Sequence, residues 1–181
     1  QVDVDQQVTN LTRFNIVFPE RRNFFIENSD MFTTLQLASN INPFFSRFIG
    51  ASEDILYGLK LSGNVAPNTR LGVLHVQSKK EDDAVTQNYT VASIKQQFSP
   101  VFNATAYLVN RQARGDYNRV YGAKANYLSP NRKWSGFAGI SQSENDQIEG
   151  NNQAFTLENN YNTRTLSFSS KFNKVGRNYL T

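Results

Sequence analysis

The sequence contains no cysteine among its 181 residues, which excludes disulfides and thiolate metal sites. It also has no run approaching the roughly 18 consecutive apolar residues that a transmembrane helix needs. The formal charge of +4 is modest and the basic residues are scattered, whereas a nucleic-acid interface needs them clustered. These absences argue against a helical membrane protein and against nucleic acid as a partner.

Aromatic residues, by contrast, make up 13% of the chain although its mean hydropathy is −0.53. This combination means that apolar residues are interleaved with polar ones instead of forming long runs. Interleaving is typical of β-strands, in which successive side chains point to opposite faces. A closed barrel of such strands can still cross a bilayer, because its backbone polar groups pair between strands.

Eight segments rich in Val, Ile, Thr, Tyr and Phe show alternation of period two in parts. Most run ten or more residues, whereas strands of soluble proteins cluster near five or six and membrane-spanning strands need about 9–11. The sequence therefore predicts an all-β, antiparallel up-and-down meander that forms part of a transmembrane outer-membrane β-barrel. The predicted strands are 53–65, 69–79, 87–98, 101–111, 118–129, 132–143, 153–160 and 163–172.

Tight and long connections alternate between these strands. Outer-membrane barrels have short periplasmic turns and longer extracellular loops, so the alternation indicates the two sides of a membrane. A soluble lipocalin-like barrel or sandwich that binds a small ligand or sugar stays open as an alternative. The predicted tight turns are 64–68, 99–100, 129–131 and 160–163, and the predicted long loops are 79–86, 112–117 and 143–152.

Lysine positions predict which face of a strand meets lipid. A lysine that faces lipid at mid-depth costs about 2–4 kcal/mol, so Lys124 should face the lumen. Tyr121 and Tyr127 share the opposite face and are predicted to face lipid, where tyrosines favour the interface. The same argument predicts that Phe168 and Phe172 face lipid.

Residues 1–52 differ from the meander of 53–181, because they mix paired aromatics with opposite charges. They predict an N-terminal strand, around 11–18, followed by an aromatic and charged plug or turn inside or beneath the barrel. An ion pair there gains about 4 kcal/mol before desolvation, and a solvated surface pair about 0–1 kcal/mol. The residues that could pair are Arg21, Arg22 and Arg47 with Glu20, Glu27 or Asp30.

Several short motifs, in this order along the chain, resemble a domain-of-unknown-function family of Bacteroidota outer-membrane proteins. In that family a barrel domain follows a carbohydrate-binding module similar to family nine. Phe48 departs from the family, which often has a second arginine after Arg47. The motifs are 8–14, 18–22, 24–28, 43–47, 87–92, 109–112 and 117–120.

The resemblance implies the bacterial outer membrane and a barrel larger than eight strands, which the chain would leave incomplete. Residues 178–181 are expected to begin a further strand. The resemblance implies no cofactor and no catalytic residue. The partners expected are outer-membrane lipid and lipopolysaccharide, with other envelope proteins or glycans as further options. The motif residues given a structural role are Phe18, Pro19, Glu20, Arg21, Arg22, Phe24, Phe25, Glu27, Asn28, Pro43, Phe44, Phe45 and Arg47.

Residues that could carry chemistry are sparse. His75 is the only histidine, and a triad or metal site needs partners that the sequence does not set beside it. The acidic clusters at 81–83 and 144–149 lack the spacing and central glycine of a calcium-binding EF-hand loop. We therefore expect a non-enzymatic barrel with a structural, transport or envelope-complex role, including glycan capture or uptake. A carbohydrate hydrolase is the second alternative.

Overall fold

The structure is a computed structural model that describes residues 20–33, 35–38, 41–50, 54–78, 86–146 and 150–180, with the backbone alone at Phe48. The predicted strand at 11–18 therefore lies outside the described residues. Within the described ranges, no helix is long and apolar enough to span a membrane.

Eight strands form one sheet in which each strand pairs antiparallel with its neighbours in the chain. The predicted eight-stranded up-and-down meander is confirmed. The sheet is open, because β1 and β8 each pair with one described neighbour. The strands are β1 Ile55–Ala66, β2 Thr69–Ser78, β3 Asn88–Ser99, β4 Phe102–Ala113, β5 Asp116–Leu128, β6 Trp134–Asn145, β7 Gln153–Asn162 and β8 Ser167–Val175.

Alternation along the strands divides the sheet into two faces that differ in chemistry. We call the face that carries Leu74, Val91 and Val120 the packed face, because the described residues of 20–50 lie against it. The face that carries Leu61 and Leu108 is the open face, where these side chains are 67% and 41% exposed. Around 71–76 apolar residues occupy both odd and even positions, so alternation alone does not assign their faces. The register now places Leu71 and Val73 on the open face and Leu74 and Val76 on the packed face.

The described residues of 20–50, which we call the crossing segment, run across the packed face from β1 to β6. Gly58 of β1 lies under the Phe24 ring, Gly72 of β2 under Met31 and Phe32, and Gly139 of β6 under Leu37. The segment contains two single-turn helices, α1 Asn23–Ile26 and α2 Asp30–Thr33, and a 3₁₀ turn, Ser46–Phe48.

The core lies between this segment and the sheet. Most of its largest fully buried side chains come from the segment, and the sheet contributes mainly small or β-branched residues. Burying a Leu or Ile side chain contributes about 1.5–3 kcal/mol, so the segment contributes much of the apolar stabilisation on this face. The segment's most deeply buried side chains are Met31, Leu35, Leu37, Ile41 and Ile49.

The predicted strict alternation of tight turns and long loops is wrong at one connection. The predicted long loop at 112–117 is a two-residue turn, because β4 extends to Ala113 and β5 begins at Asp116. Its glycine, Gly115, has φ +78°, a left-handed conformation that side chains disfavour. We call the end with connections 67–68, 100–101, 129–133 and 163–166 the turn end, and the end with 79–87, 114–115 and 146–152 the loop end.

The expectation that 178–181 begins a further strand is wrong for the described residues 178–180. After β8 the chain folds back over the packed face, where the Tyr179 and Ser141 hydroxyls lie 2.7 Å apart. The Leu180 amide donates to Ser143 at 3.0 Å. Burial raises the pKa of Tyr179 to about 12, despite the hydrogen bond with Ser141, so its hydroxyl keeps its proton. Tyr179, which resembled a strand residue, is instead buried against the packed face.

Gly122 of β5 gives a test of the sheet's close packing. A Cβ at this position would overlap the Ile140 carbonyl oxygen and lie 2.7 Å from the Tyr107 hydroxyl. We expect Gly122→Ala to lower the free energy of unfolding by about 1–3 kcal/mol, as overpacking does. Urea titration of the purified protein measures it. Gly63→Ala is the matched control, because a Cβ there meets nothing within 4 Å. Equal effects of the two variants would contradict this packing.

Candidate functional site

Charge is distributed unequally between the two faces of the sheet. On the open face of the strands the charged side chains are Arg119, Glu144 and Lys174, and all three lie close to the loop end. The rest of that face is formed by apolar, small or neutral polar side chains. The packed face carries Lys60, Arg70, Lys95, Arg111, Asp116, Lys124, Glu158 and Lys171. A soluble sheet covered on one face has the reverse arrangement, with its charges on the uncovered face.

Aromatic side chains gather at the turn end of the open face. The Phe98 and Phe102 rings lie 5.6 Å apart, and the Trp134 and Tyr161 rings 4.6 Å apart. Strand register places Tyr127 beside Phe102. We call this row the aromatic row, and its members are Phe98, Phe102, Tyr127, Trp134, Tyr161 and Phe168.

The four aromatics predicted to face lipid all lie on the open face. Tyr127 and Phe168 belong to the aromatic row and are 47% and 55% exposed. Tyr121 and Phe172 lie nearer the loop end. The Tyr121 hydroxyl donates to Glu144 at 2.6 Å, and the Phe172 ring packs against Phe155.

Sheet side chains hold the crossing segment by donating to its backbone carbonyls. The Lys60 ammonium donates to the carbonyls of Phe24, at 2.9 Å, and Glu27. The Ser93 hydroxyl donates to the Met31 carbonyl at 2.8 Å, and the Lys124 ammonium to the Gln36 carbonyl at 3.3 Å. Carbonyls at the ends of such short helices lack intrahelical partners, so these donors satisfy them.

Within the segment, Glu20 and Arg22 join its beginning to its end. The Arg22 guanidinium donates to both Glu20 carboxylate oxygens and to the carbonyls of Ser46 and Ile49. The Ser46 hydroxyl donates to Glu20 at 2.7 Å. Partial burial alone would raise the pKa of Glu20, but the hydrogen bonds from Arg22 and Ser46 lower it to about 2.

The sequence named possible charge pairs in this segment and left open whether they form. Glu20 and Arg22 form one of them at 2.8 Å, with both side chains mostly shielded from solvent. Asp30, another possible partner within the segment, pairs instead with Arg70 of β2. The Glu27 side chain is exposed, and its backbone carbonyl accepts a hydrogen bond from the Lys60 ammonium.

The aromatic motif residues pack around these polar contacts. The Arg22 guanidinium lies 4.3 Å from the centre of the Phe25 ring, and Phe24 packs edge-on against Phe25. Phe44 packs against Phe32. Arg21 and Asn28 are exposed, Arg47 is half-buried, and Phe18 and Pro19 lie outside the described residues.

A cavity of about 110 Å³ lies between the segment and the sheet near the loop end. Since a water molecule occupies about 30 Å³ in the liquid, this volume suits a few waters. Arg111, which lines it, pairs with Asp116 at 2.6 Å. The other lining residues are Pro43, Phe44, Phe45, Ile49, Tyr89, Val109, Asn118 and Val120.

His75 lies on the open face beside Tyr57, and its Nδ1 is 2.9 Å from the Thr90 hydroxyl. Among the residues that the structure describes, no three His, Asp or Glu side chains are grouped to hold a metal ion. The acidic clusters fall partly outside the description, because 81–83 and Glu149 are not described.

These features define an open antiparallel β-sheet whose charge-bearing packed face is covered by the crossing segment and whose open face is left uncovered by the described residues. Residues 1–58 match the model of a family described as a domain of unknown function, DUF5916. The match includes the motifs between residues 8 and 47 and ends at the start of β1. Neither the curated proteins nor the solved structures contain a match to the chain.

Two sets of residues in this site were not predicted from the sequence. The anchoring donors Lys60 and Ser93 could not be identified, because their partners lie 36 and 62 residues away in the chain. Most of the aromatic row was also missed, although its signal is present. Phe98, Phe102 and Trp134 each lie within four residues of Pro100 or Pro130.

Ile41 and Ile26 form a matched pair for testing how firmly the segment is packed. Ile41 is fully buried and Ile26 is 45% exposed. We expect Ile41→Ala to lower the free energy of unfolding by about 2–4 kcal/mol, because it leaves a cavity. Ile26→Ala should change it by about 0.5 kcal/mol or less. Urea titration of both variants measures the difference, and similar losses would mean that the segment is not packed as described.

The lowered pKa of Glu20 predicts that its contribution to the free energy of unfolding depends on pH. Its pKa is lowered on folding, so its contribution is complete above pH 4.5 and is lost as the pH falls towards 2. At neutral pH we expect Glu20→Gln to cost about 1.5–3 kcal/mol, because charged hydrogen bonds are lost. The difference from wild type should shrink below pH 4.5. Unfolding titrations between pH 2 and pH 7 measure this, with Glu27→Gln as the exposed control. A pH-independent difference would contradict the assignment.

Proposed function

We propose that the chain forms part of the wall of a transmembrane β-barrel in the bacterial outer membrane, with the crossing segment packed inside. The observation that carries the proposal is the distribution of charge between the faces. Placing Lys or Arg against lipid at mid-depth costs about 2–4 kcal/mol. The open face carries its three charged side chains near the loop end only. This arrangement suits a surface that contacts hydrocarbon.

Strand length and the aromatic row support the same function. The strands run from nine to 13 residues, which agrees with the roughly 9–11 residues needed to cross the hydrocarbon of a bilayer at a tilt. Outer-membrane barrels carry a girdle of aromatic side chains at the membrane interface. The aromatic row occupies the corresponding place at the turn end, the periplasmic end in this proposal.

The crossing segment indicates that the proposed barrel has more than eight strands. An eight-stranded barrel has an interior just wide enough for its own side chains. Here the packed face accommodates a segment that reaches from β1 to β6, a width of about 24 Å at 4.8 Å per strand. We therefore propose that β1 and β8 pair with additional strands that complete the wall.

The role that we propose for this barrel is structural, in transport or within an envelope complex. Its surrounding lipid, including lipopolysaccharide, is the proposed partner. A link to glycan capture or uptake, or to other envelope proteins, is a proposal that rests on the resemblance of the motifs. We propose no nucleic-acid partner, because basic residues are not clustered along the chain.

Trp134, the only tryptophan of the chain, gives a direct test of contact with lipid. It lies in the aromatic row and is 47% exposed. We expect brominated acyl chains to quench its fluorescence in the full-length protein reconstituted into vesicles. Bromine near the headgroup should quench more than bromine near the bilayer centre, because tryptophan favours the interface. Subtracting the spectrum of Trp134→Phe isolates this residue.

The alternative, a soluble β-sheet protein, predicts a different result. Its open face would need a second apolar layer, which would shield Trp134 from lipid. Absence of quenching at every bromine depth, in protein that stays soluble without detergent, would refute the membrane proposal.

A further inference from the structure

The turn end of the sheet carries a concentration of basic side chains. Arg132, Lys133 and Arg164 lie in the connections at this end, and all three are exposed. All four connections there are described, and none contains an acidic residue. The turn end is therefore electropositive just beyond the aromatic row.

Hydrogen bonds order these turns and bring them together. The Asn131 side-chain oxygen accepts hydrogen bonds from the Ser129 hydroxyl, at 2.8 Å, and the Lys133 amide, at 3.1 Å. The Ser129 hydroxyl in turn accepts the Trp134 amide at 2.9 Å. The Asn162 amide donates to the Lys133 carbonyl at 2.8 Å, which joins this turn to the connection that carries Arg164.

The loop end carries charges of both signs. Acidic side chains lie there at the ends of the strands, and Glu144 accepts a hydrogen bond from Tyr121. Its described basic residues include Arg111, which pairs with Asp116, and Arg119, which donates to Asn110, as well as Arg114, Lys174 and Arg177. No ion pair is present for the three turn-end cations in the described part of the chain. The turn-end connections are therefore purely cationic, whereas the loop end mixes acidic and basic side chains.

We propose that Arg132, Lys133 and Arg164, together with the Trp134 ring, bind the headgroup phosphates of anionic phospholipids at the turn end. This rests on the proposed function, because it needs the open face to be embedded in a bilayer. Tryptophan rings sit at headgroup level, and basic residues just beyond them reach the phosphate layer. The ordered turns already fix the backbone of these residues, so little backbone entropy is lost on binding.

Energy transfer from Trp134 to labelled lipid tests the proposal. The full-length protein is reconstituted into phosphatidylcholine vesicles that contain a small fraction of dansyl-labelled phosphatidylglycerol or dansyl-labelled phosphatidylcholine. We expect the anionic label to be enriched about three- to fivefold near Trp134 relative to the zwitterionic label. Subtracting the transfer measured in Trp134→Phe removes the contribution of any other tryptophan in the full-length protein. Added salt should reduce the enrichment, because it screens the charges.

Matched variants test whether the turn-end cations cause the preference for the anionic label. Replacing Arg132, Lys133 and Arg164 together by Gln should abolish the preference, whereas Arg132→Lys with Arg164→Lys should retain it. Replacing Arg119 and Lys174 by Gln removes two cations from the loop end and should leave it unchanged. Equal transfer to both labels would overturn the phospholipid site and leave the membrane proposal intact. Absence of transfer to either label would overturn both.

Discussion

Side chains of the sheet donate hydrogen bonds to the main chain of the crossing segment, and the arrangement of both faces depends on these contacts. Lys60, Ser93 and Lys124 satisfy carbonyls that the short helices and turns of the segment cannot pair internally. Because these donors lie on the packed face, the charges of Lys60 and Lys124 point towards the crossing segment. The alternation of each strand then places apolar side chains outward. The same alternation of side chains therefore makes the open face apolar and supplies the donors that hold the segment on the packed face.

Glycines complete the fit between the segment and the sheet. Gly58, Gly72 and Gly139 lie where Phe24, Met31 and Leu37 approach the strands most closely. A Cβ at Gly139 would lie 2.5 Å from a Leu37 methyl group. Small residues on the strands thereby leave room for large residues on the segment, so apolar area is buried without a second sheet. The polar donors determine where the segment lies, and the apolar contacts supply most of the stabilisation.

The number of strands and the face on which each side chain lies could be predicted from the sequence, because both depend on the alternation of apolar and polar residues along a strand. Lys124 was assigned to the face opposite Tyr121 and Tyr127, and the structure places it there. The prediction was wrong where local signals are ambiguous. Polar residues at 112–117 resemble a loop, but strand pairing continues through them to a two-residue turn at Gly115. Tyr179 resembles a strand residue, whereas its hydroxyl contacts Ser141, 38 residues away. Docking of the crossing segment depends on contacts as distant as Gln36 with Lys124, which no local pattern encodes.

The position of the crossing segment in the chain has a consequence for the order of folding. Its contact between Gln36 and Lys124 closes a loop of 88 residues, and β1–β5 lie almost entirely within that loop. The entropy of closing such a loop is offset only when the intervening strands are already paired. The crossing segment leaves the ribosome before the eight strands, yet it reaches its native contacts after they have paired. Until then its Leu and Ile side chains are unprotected, and the folding chain needs a chaperone or rapid strand pairing to keep them from aggregating.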